Sequence, residues 1–488
     1  MTLTEAVFLS LRYNRSLESA YLDRVMQRFN LRQDLTKFHP NLEISLGADA
    51  RLSEDSSTYK EDDIPKSRIT THSTGTYVTT RATQKIPTGA EISFVWDNEA
   101  QSRHVSRRDG STKTEPLDSA WGVELSQPLL KGGGIDFNTA SVTKARLGEE
   151  EAVRSMRDTV ISTVTGVIMD YRNLLRASQD LNVQQTSLKK AREQLEILKS
   201  LINAGRRAAN ELIQSEANVA RQELSVEEAK STLNDAQLSL LNKLNIGREI
   251  IIIPTEQVEY RQVEPDIEEC LEIVFKKNAD YLRALNQVKI AGLNIMEAEN
   301  QRRWDLSAEA RYRKGWHQRR TDPDYRQDEW SVGLSLDIPF PIYGDAKYAR
   351  ESPLLSARIN LRKAEMTLLT IEENLENEVA TAVRRVDSAH KQVQLARRTR
   401  ELSEKSFEVS ELEYRLGRIS NTDFIREQDK LRNDKLAEVN SIIAYENTLT
   451  SLDQLLATTL DTWEIDFTPQ RADLEEEMLG RKTWMLGK

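Results

Sequence analysis

A single cysteine, Cys270, stands among 488 residues, so no disulfide can form within one chain. Its setting, IEECLEIVF, puts it on an apolar helix face as a small buried residue. Aromatic residues make up only 6% of the chain and charged residues 30%, which excludes one large round core and favours long thin layers. Mean hydropathy is −0.59, and no apolar run reaches the roughly 18 residues of a membrane helix. A membrane β-barrel, whose alternating strands leave a weaker signal, is not excluded. Positive charge is not in excess: the net charge of −10 argues against nucleic acid as a partner. The five histidines, His39, His72, His104, His317 and His390, show no ligand spacing and are expected at the surface. With neither a phosphate loop nor a nucleophile motif, no enzyme activity, metal or cofactor is expected. The opening TLTEAVFLSLRYN lacks the basic and long apolar regions of a signal peptide. The signal of an exported chain would therefore have been removed or lie upstream.

What the chain has is two versions of itself. LTEAVFLSLRYNRSLESA from Leu3 matches IEECLEIVFKKNADYLRA from Ile267, with Glu5 over Glu269 and Asn14 over Asn278. NLEISLGA at Asn41 falls over DLSAEARY at Asp305, and WGVELSQPLLKGG from Trp121 resembles WSVGLSLDIPFPIYG from Trp330. AGRRAANEL from Ala204 falls over LGRISNTDF from Leu416, and Pro254 over Pro469.

Each copy reads as helix, strands, very long helix, break and shorter helix. Val153, Val160, Val167, Leu174, Leu181, Leu188, Leu195 and Ile202 recur at every seventh position, a sustained coiled-coil seam. After the break, Leu212, Val219, Val226, Leu233 and Leu240 resume it, and their counterparts are Phe424, Leu431, Glu438, Tyr445 and Leu452, of which only Glu438 departs. Between Gly134 and Gly205 lie roughly 70 residues, a rod of about 100 Å. The returning helices are shorter, and Leu3 to Lys37 and Ile267 to Asn300 are each long enough to stack on one of them. REIIIIP and TWEIDFTP, at matched joints, suggest short strands of a small side domain.

Strand segments alternate with period two. Leu42, Ile44, Leu46, Ala48, Ala50 and Leu52 oppose Glu43, Ser45, Asp49 and Arg51, and Val332, Leu334, Leu336 and Ile338 oppose Ser331, Ser335 and Asp337. This suits a barrel wall between lipid and a wet lumen, and equally a soluble sheet packed on a core. Trp96, Trp121, Trp304, Trp316 and Trp330 fall in or beside the strands, as aromatic residues at strand ends do in a membrane interface. The first copy has about 65 residues between its matched strands and the second fewer than 20. Two more strands around Pro87-Thr88-Gly89 fit in the surplus, flanked by long polar loops from Ser53 to Thr74 and from Glu99 to Ser119. Six strands per chain are expected, with four as the smaller count.

Over nearly its whole length the sequence resembles the TolC-like outer-membrane efflux proteins. The structural repeat, LSQPLLKGG leading into the long helix, and Tyr414, Gly417, Asp423 and Phe424 in YRLGRISNTDF carry the likeness. The resemblance implies a mainly α fold with a membrane β-barrel portion. It also implies a homotrimer whose β-barrel in outer-membrane lipid continues as an α-helical barrel through the periplasm. A periplasmic adaptor protein and an inner-membrane pump would be its partners, and drugs, metals or secreted polypeptides its cargo. A non-membrane coiled-coil scaffold and a periplasmic adaptor are the alternatives: the first leaves the alternating strands without a purpose, and the second needs lipoyl-like modules not found here.

The expected division is 1–39 and 267–303 as stacking helices, 40–131 and 304–345 as barrel strands, and 132–246 and 346–460 as helical hairpins. Residues 247–266 form an equatorial segment, and 461–488 an equatorial strand and tail. Gly205 and Gly417 are suited to ending the long helices in the left-handed conformation. Ser420 to Asp423 has capping-box spacing, and the first copy, with Ala208 at that position, is expected to cap through Asn210. By resemblance, Gly205, Arg206, Gly417, Arg418, Ser420 and Asn421 form hairpin tips that touch the adaptor. Asp423 lies in a periplasmic gate with Arg426, where a second acidic ring is usual, and Glu427 nearby, and Tyr414 and Glu211 hold the closed state by a hydrogen bond between hairpins. Asp423 and Glu211 also suit a plain helix start.

Overall fold

A computed structural model describes residues 1–57, 67–107, 110–115, 117–256, 260–319, 322–338 and 344–466. In chain order the elements are α1 (Leu3–Tyr13), α2 (Arg15–Thr36), β1 (Asn41–Ser57), β2 (Ser67–Lys85), β3 (Glu91–Arg107), β4 (Gly110–Thr114) and β5 (Leu117–Pro128). There follow α3 (Ile135–Asn203), α4 (Asn210–Leu244), α5 (Ile267–Lys277), α6 (Ala279–Gln301), β6 (Asp305–Arg319), β7 (Asp322–Asp337), α7 (Gly344–Arg415), α8 (Asn421–Leu455) and α9 (Thr459–Thr462). The order repeats as the sequence does. None of the described helices is long and apolar enough to cross a membrane.

The chain divides into two compact units. One comprises Met1–Met26, Glu150–Leu285 and Met366–Lys488. Its helices pack along the heptad seams into two matched cores. Val160, Val167, Leu174 and Leu240 are buried with Ala6 and Val7 of α1 in the first copy. Val379, Val386, Val393, Tyr445 and Leu452 are buried with Cys270 and Val274 of α5 in the second. Cys270 is buried as expected, and burial pushes its thiol pKa up. Past Leu174 the fully buried positions of α3 move to Ala177, Ala191 and Leu198, while Leu181, Leu188 and Leu195 become half-buried. Glu438, the one break in the seam, accepts from Arg397 at 3.3 Å and Arg400 at 2.9 Å, so two arginines of α7 neutralise a carboxylate on the apolar stripe.

The helices before the strands are broken at matched asparagines. Asn14 and Asn278 end α1 and α5 in extended conformation. Their Oδ1 atoms cap the next helices, accepting from the amides of Ser16 at 2.8 Å and Tyr281 at 3.1 Å. Their Nδ2 atoms donate to the carbonyls of Lys243 and Leu455 at the ends of α4 and α8. The joints differ from expectation. Arg248 to Pro254 forms no strand, because its hydrogen bonds run to the Gln237 side chain, the Gly247 carbonyl and the Met1 amino group and not to another strand. The described part of TWEIDFTP, to Asp466, is a helix end and turn, while Pro469 and the tail from residue 470 lie outside the described residues. His390 is not at the surface but half-buried between Tyr260 and Tyr445.

The other unit, Gln27–Glu149 and Asn286–Glu365, holds the sheet. Its antiparallel strand order is β1-β2-β3-β5-β6-β7, with β4 extending the free end of β3. The six expected strands are thus present with a short seventh. They are longer than expected: β1 runs to Ser57, β2 starts at Ser67 and β3 reaches Arg107, over ground expected to be loop. Stretches such as THSTGTYVTT are polar on both faces yet rich in threonine, which favours strand. In consequence Trp96, Trp121, Trp316 and Trp330 sit within strands rather than at their ends, Trp96 opposite Trp121 and Tyr312 opposite Trp330, while Trp304 lies just before β6.

The register sorts the residues into two faces. One carries Leu42, Ile44, Leu46, Phe94, Trp96, Val123, Trp330, Val332 and Leu334. Leu46, Val332 and Leu334 are each 74% exposed and Trp330 78%. A soluble sheet would bury this face on a core, and no described element of this chain covers it. The opposite face is ionic: Arg311 bridges to Glu124 at 2.6 Å and Arg313 to Asp97 at 3.8 Å.

Candidate functional site

The two helical turns lie in the first unit, and the same local chemistry makes both. Gly205 and Gly417 have φ of +68° and +74°, a conformation an L side chain strains to adopt. The amide of the next residue closes on the helix just finished: Arg206 donates to the carbonyl of Leu201, and Arg418 to that of Glu413, both at 2.9 Å. This is the Schellman ending expected of glycine. The return helices start differently. The Ser420 hydroxyl accepts from the Asp423 amide at 3.1 Å and donates to the Asp423 carboxylate at 2.7 Å. In the first copy no side chain caps α4: Asn210 is already its first helical residue, and backbone bonds from Glu211 to Ala208 and from Leu212 to Ala209 serve instead. The expected Asn210 cap is thereby corrected, because the turn winds in through helical backbone at Ala209.

Tyr414 is 3% exposed and stacks on Phe424 with ring centroids 4.6 Å apart, above Phe407 and Leu431. Burial pushes its phenol pKa up. Its hydroxyl donates to Asn421 Oδ1 at 3.2 Å, within its own hairpin. Within this chain Tyr414 makes no hydrogen bond to Glu211, which pairs instead with Arg207 at 3.6 Å.

Arg207, which nothing in the sequence pattern singled out, joins the two turns. Its guanidinium lies 4.8 Å from the centroid of the Tyr414 ring and donates to the carbonyls of Tyr414 at 3.2 Å and Ile419 at 3.3 Å. Thr422 donates to Gln214 at 2.8 Å, and lower down Gln222 joins Asp429 and Arg432. Arg206, Gly205, Arg418, Gly417 and Ser420 are exposed around this knot. Asp423 and Arg426 are exposed and 3.6 Å apart, so an acid is paired with a base on the exposed face of α8. Glu427 accepts from Ser406 at 3.2 Å. Among the described residues no group of histidine, cysteine and carboxylate side chains is placed to hold a metal ion.

The sequence profile of the outer membrane efflux proteins matches residues 91–245 and 275–458, well over half of the chain and both copies of the repeat. The chain belongs to this family. No protein of curated function matches the sequence. Among solved structures, the fold is that of outer-membrane efflux channels. The CmeC channel of Campylobacter jejuni superposes with a TM-score of 0.67 at 14% identity, covering 98% of this chain and 89% of that one. The outer-membrane channel OprN gives 0.66 at 14% identity over 93% and 90%. VceC of Vibrio cholerae gives 0.63 at 16% identity over 94% and 95%. Within the efflux fold, the knot around Arg207 and Tyr414 is where the return helix of each copy begins.

Proposed function

We propose that three copies of this efflux protein form a passive, non-enzymatic duct through the outer membrane and periplasm, docked on a periplasmic adaptor and an inner-membrane pump. The observation that carries this reading is the sheet whose one face is apolar and uncovered while the other is ionic, in a chain whose remaining helices form paired hairpins. Such a sheet is stable between lipid and water and in few other settings. Residues 40–131 and 304–345 then supply the barrel, and 132–246 and 346–460 the helical wall, with 1–39 and 267–303 stacked on the return helices. Drugs, metal ions or secreted polypeptides are the cargo class, since a water-filled tunnel needs no tailored pocket.

The turns form the inner mouth. Asp423, Arg426 and Glu427 line it as a mixed ring, and Tyr414 with Glu211 steadies it through Arg207. Gly205, Arg206, Gly417, Arg418 and Ser420 are the surface offered to the adaptor; Asn421, expected among them, is 1% exposed and holds the Tyr414 hydroxyl instead, because the turn folds its side chain inward. Fractionation tests the duct: heat-modifiable trimers in outer membranes are expected, and a soluble monomer would sink the reading. Asp423→Ala combined with Tyr414→Phe is expected to raise single-channel conductance in planar bilayers, and unchanged conductance would remove these residues from the gate.

A further inference from the structure

The two copies are unequal in one place. Asn14 to Gly205 is a step of 191 residues and Asn278 to Gly417 a step of 139, so the first copy is 52 residues longer. The surplus lies between β1 and β5, where β2 and β3 have no counterpart between β6 and β7. These strands are not an ornament on the sheet's edge. β1 pairs with β2 from Asn41 to Ser57, β2 with β3 from Thr70 to Lys85, and β3 with β5 from Glu91 to Ala100, so the hairpin sits inside the wall and holds β1 and β5 two strands apart.

The apolar face also slides across the sheet. The row that starts at Leu42 runs through Ala82, Phe94, Val123 and Tyr312 to Trp330. On β1 the apolar residues extend from this row towards Leu52, but on β7 they extend the opposite way, to Leu336. A band level in the membrane drifts in this way only when the strands are tilted, as in a closed barrel. Among the described residues β1 and β7 each have one unpaired edge, and lipid tolerates no open edge.

We propose that β1 of one copy pairs with β7 of the next, closing a barrel of eighteen strands, six from each of three chains, and that the β2–β3 hairpin is an insertion that widens the bore. The inference rests on the trimeric duct proposed above. The four strands common to both copies would give only twelve; barrel diameter grows about linearly with strand number, so the mouth is roughly half again as wide, and 16–18 strands leave an aqueous channel. Continuing the drift across the join sets Ile44 beside Leu336, Leu46 beside Leu334 and Ala48 beside Val332, with the small Ala50 beside Trp330. On the other face Gly47 meets Gly333 and Arg51 meets Glu329, opposite charges on two exposed side chains.

Disulfide trapping tests the join. In a Cys270→Ser background, oxidation of the Ala48→Cys, Val332→Cys pair in outer membranes is expected to convert most of the chain to covalent dimer and trimer. The Ala48→Cys, Leu125→Cys pair, one of whose members lies mid-sheet, is expected to stay monomeric on denaturing gels. Linkage of Ala48→Cys to Trp330→Cys or Leu334→Cys in place of Val332→Cys overturns the register. A preparation that runs as native trimer but links at none of the three overturns the closure, as does a count of twelve strands by electron cryo-microscopy. Absence of native trimers in the Cys270→Ser parent overturns the duct reading itself.

Discussion

Arg207 holds the two turns together with one planar group, using both its hydrogens and its charge against the Tyr414 ring. Arg207→Ala is expected to lose about 1–2 kcal/mol of local stability, read as roughly tenfold faster amide exchange over Tyr414 to Ser420, with partial recovery in Arg207→Lys, which keeps the charge but not the fork. A second arginine works in a drier place. Arg172 donates to the Glu446 carbonyl, the Thr450 hydroxyl and the Glu446 carboxylate, the last at 3.0 Å. Burial lowers the Arg172 pKa and raises that of Glu446. Arg172→Met strands a buried carboxylate and is expected to cost about 3–5 kcal/mol, most of it recovered by adding Glu446→Gln. Burial also raises the Asp453 pKa. A carboxyl whose folded pKa lies above its unfolded one is stabilising while protonated, so its contribution falls as pH rises from the ordinary carboxylate range through the raised value. Asp453→Asn is therefore expected to flatten the pH dependence of helix unfolding in detergent over that window.

At the scale of the element, the turns show how much a local pattern can dictate. Gly417→Ala forces a side chain into the left-handed region and is expected to cost about 1–2 kcal/mol, and Ser420→Ala about 1 kcal/mol through its lost cap; denaturant titration of the helical signal measures both. The heptads of α3, α4 and α8, the two glycine turns and the alternation of β1 and β7 were all legible, because each is a periodic or short-range property of neighbouring residues. Arg207 was not, since Tyr414 and Ile419, which it joins, lie more than 200 residues away in sequence and its own surroundings, a pair of arginines after a glycine, have no periodicity. Nor were the long polar ends of β1 to β3, whose threonines make strand through pairing partners rather than through one greasy face. Arg248 to Pro254 erred the other way: four isoleucines read as strand, yet no strand lies beside them.

For the whole molecule, the sheet assigns each side of a strand a solvent. Leu46→Arg is expected to cost about 2–4 kcal/mol on the lipid side and to reduce the folded protein recovered from outer membranes. Ser45→Arg, one residue away on the ionic side, is expected to leave that yield near normal. The twin asparagines set a different constraint. Because Asn14 and Asn278 each tie a helix break to the last carbonyls of a return helix, the distance from tip to break is a fixed ruler shared by a one-piece helix and its neighbour. Lengthening the chain here is therefore a digital change. An insertion keeps the seams in step only in units of seven, made in both arms of a hairpin, and relatives of unequal reach should differ by whole heptads rather than by single residues.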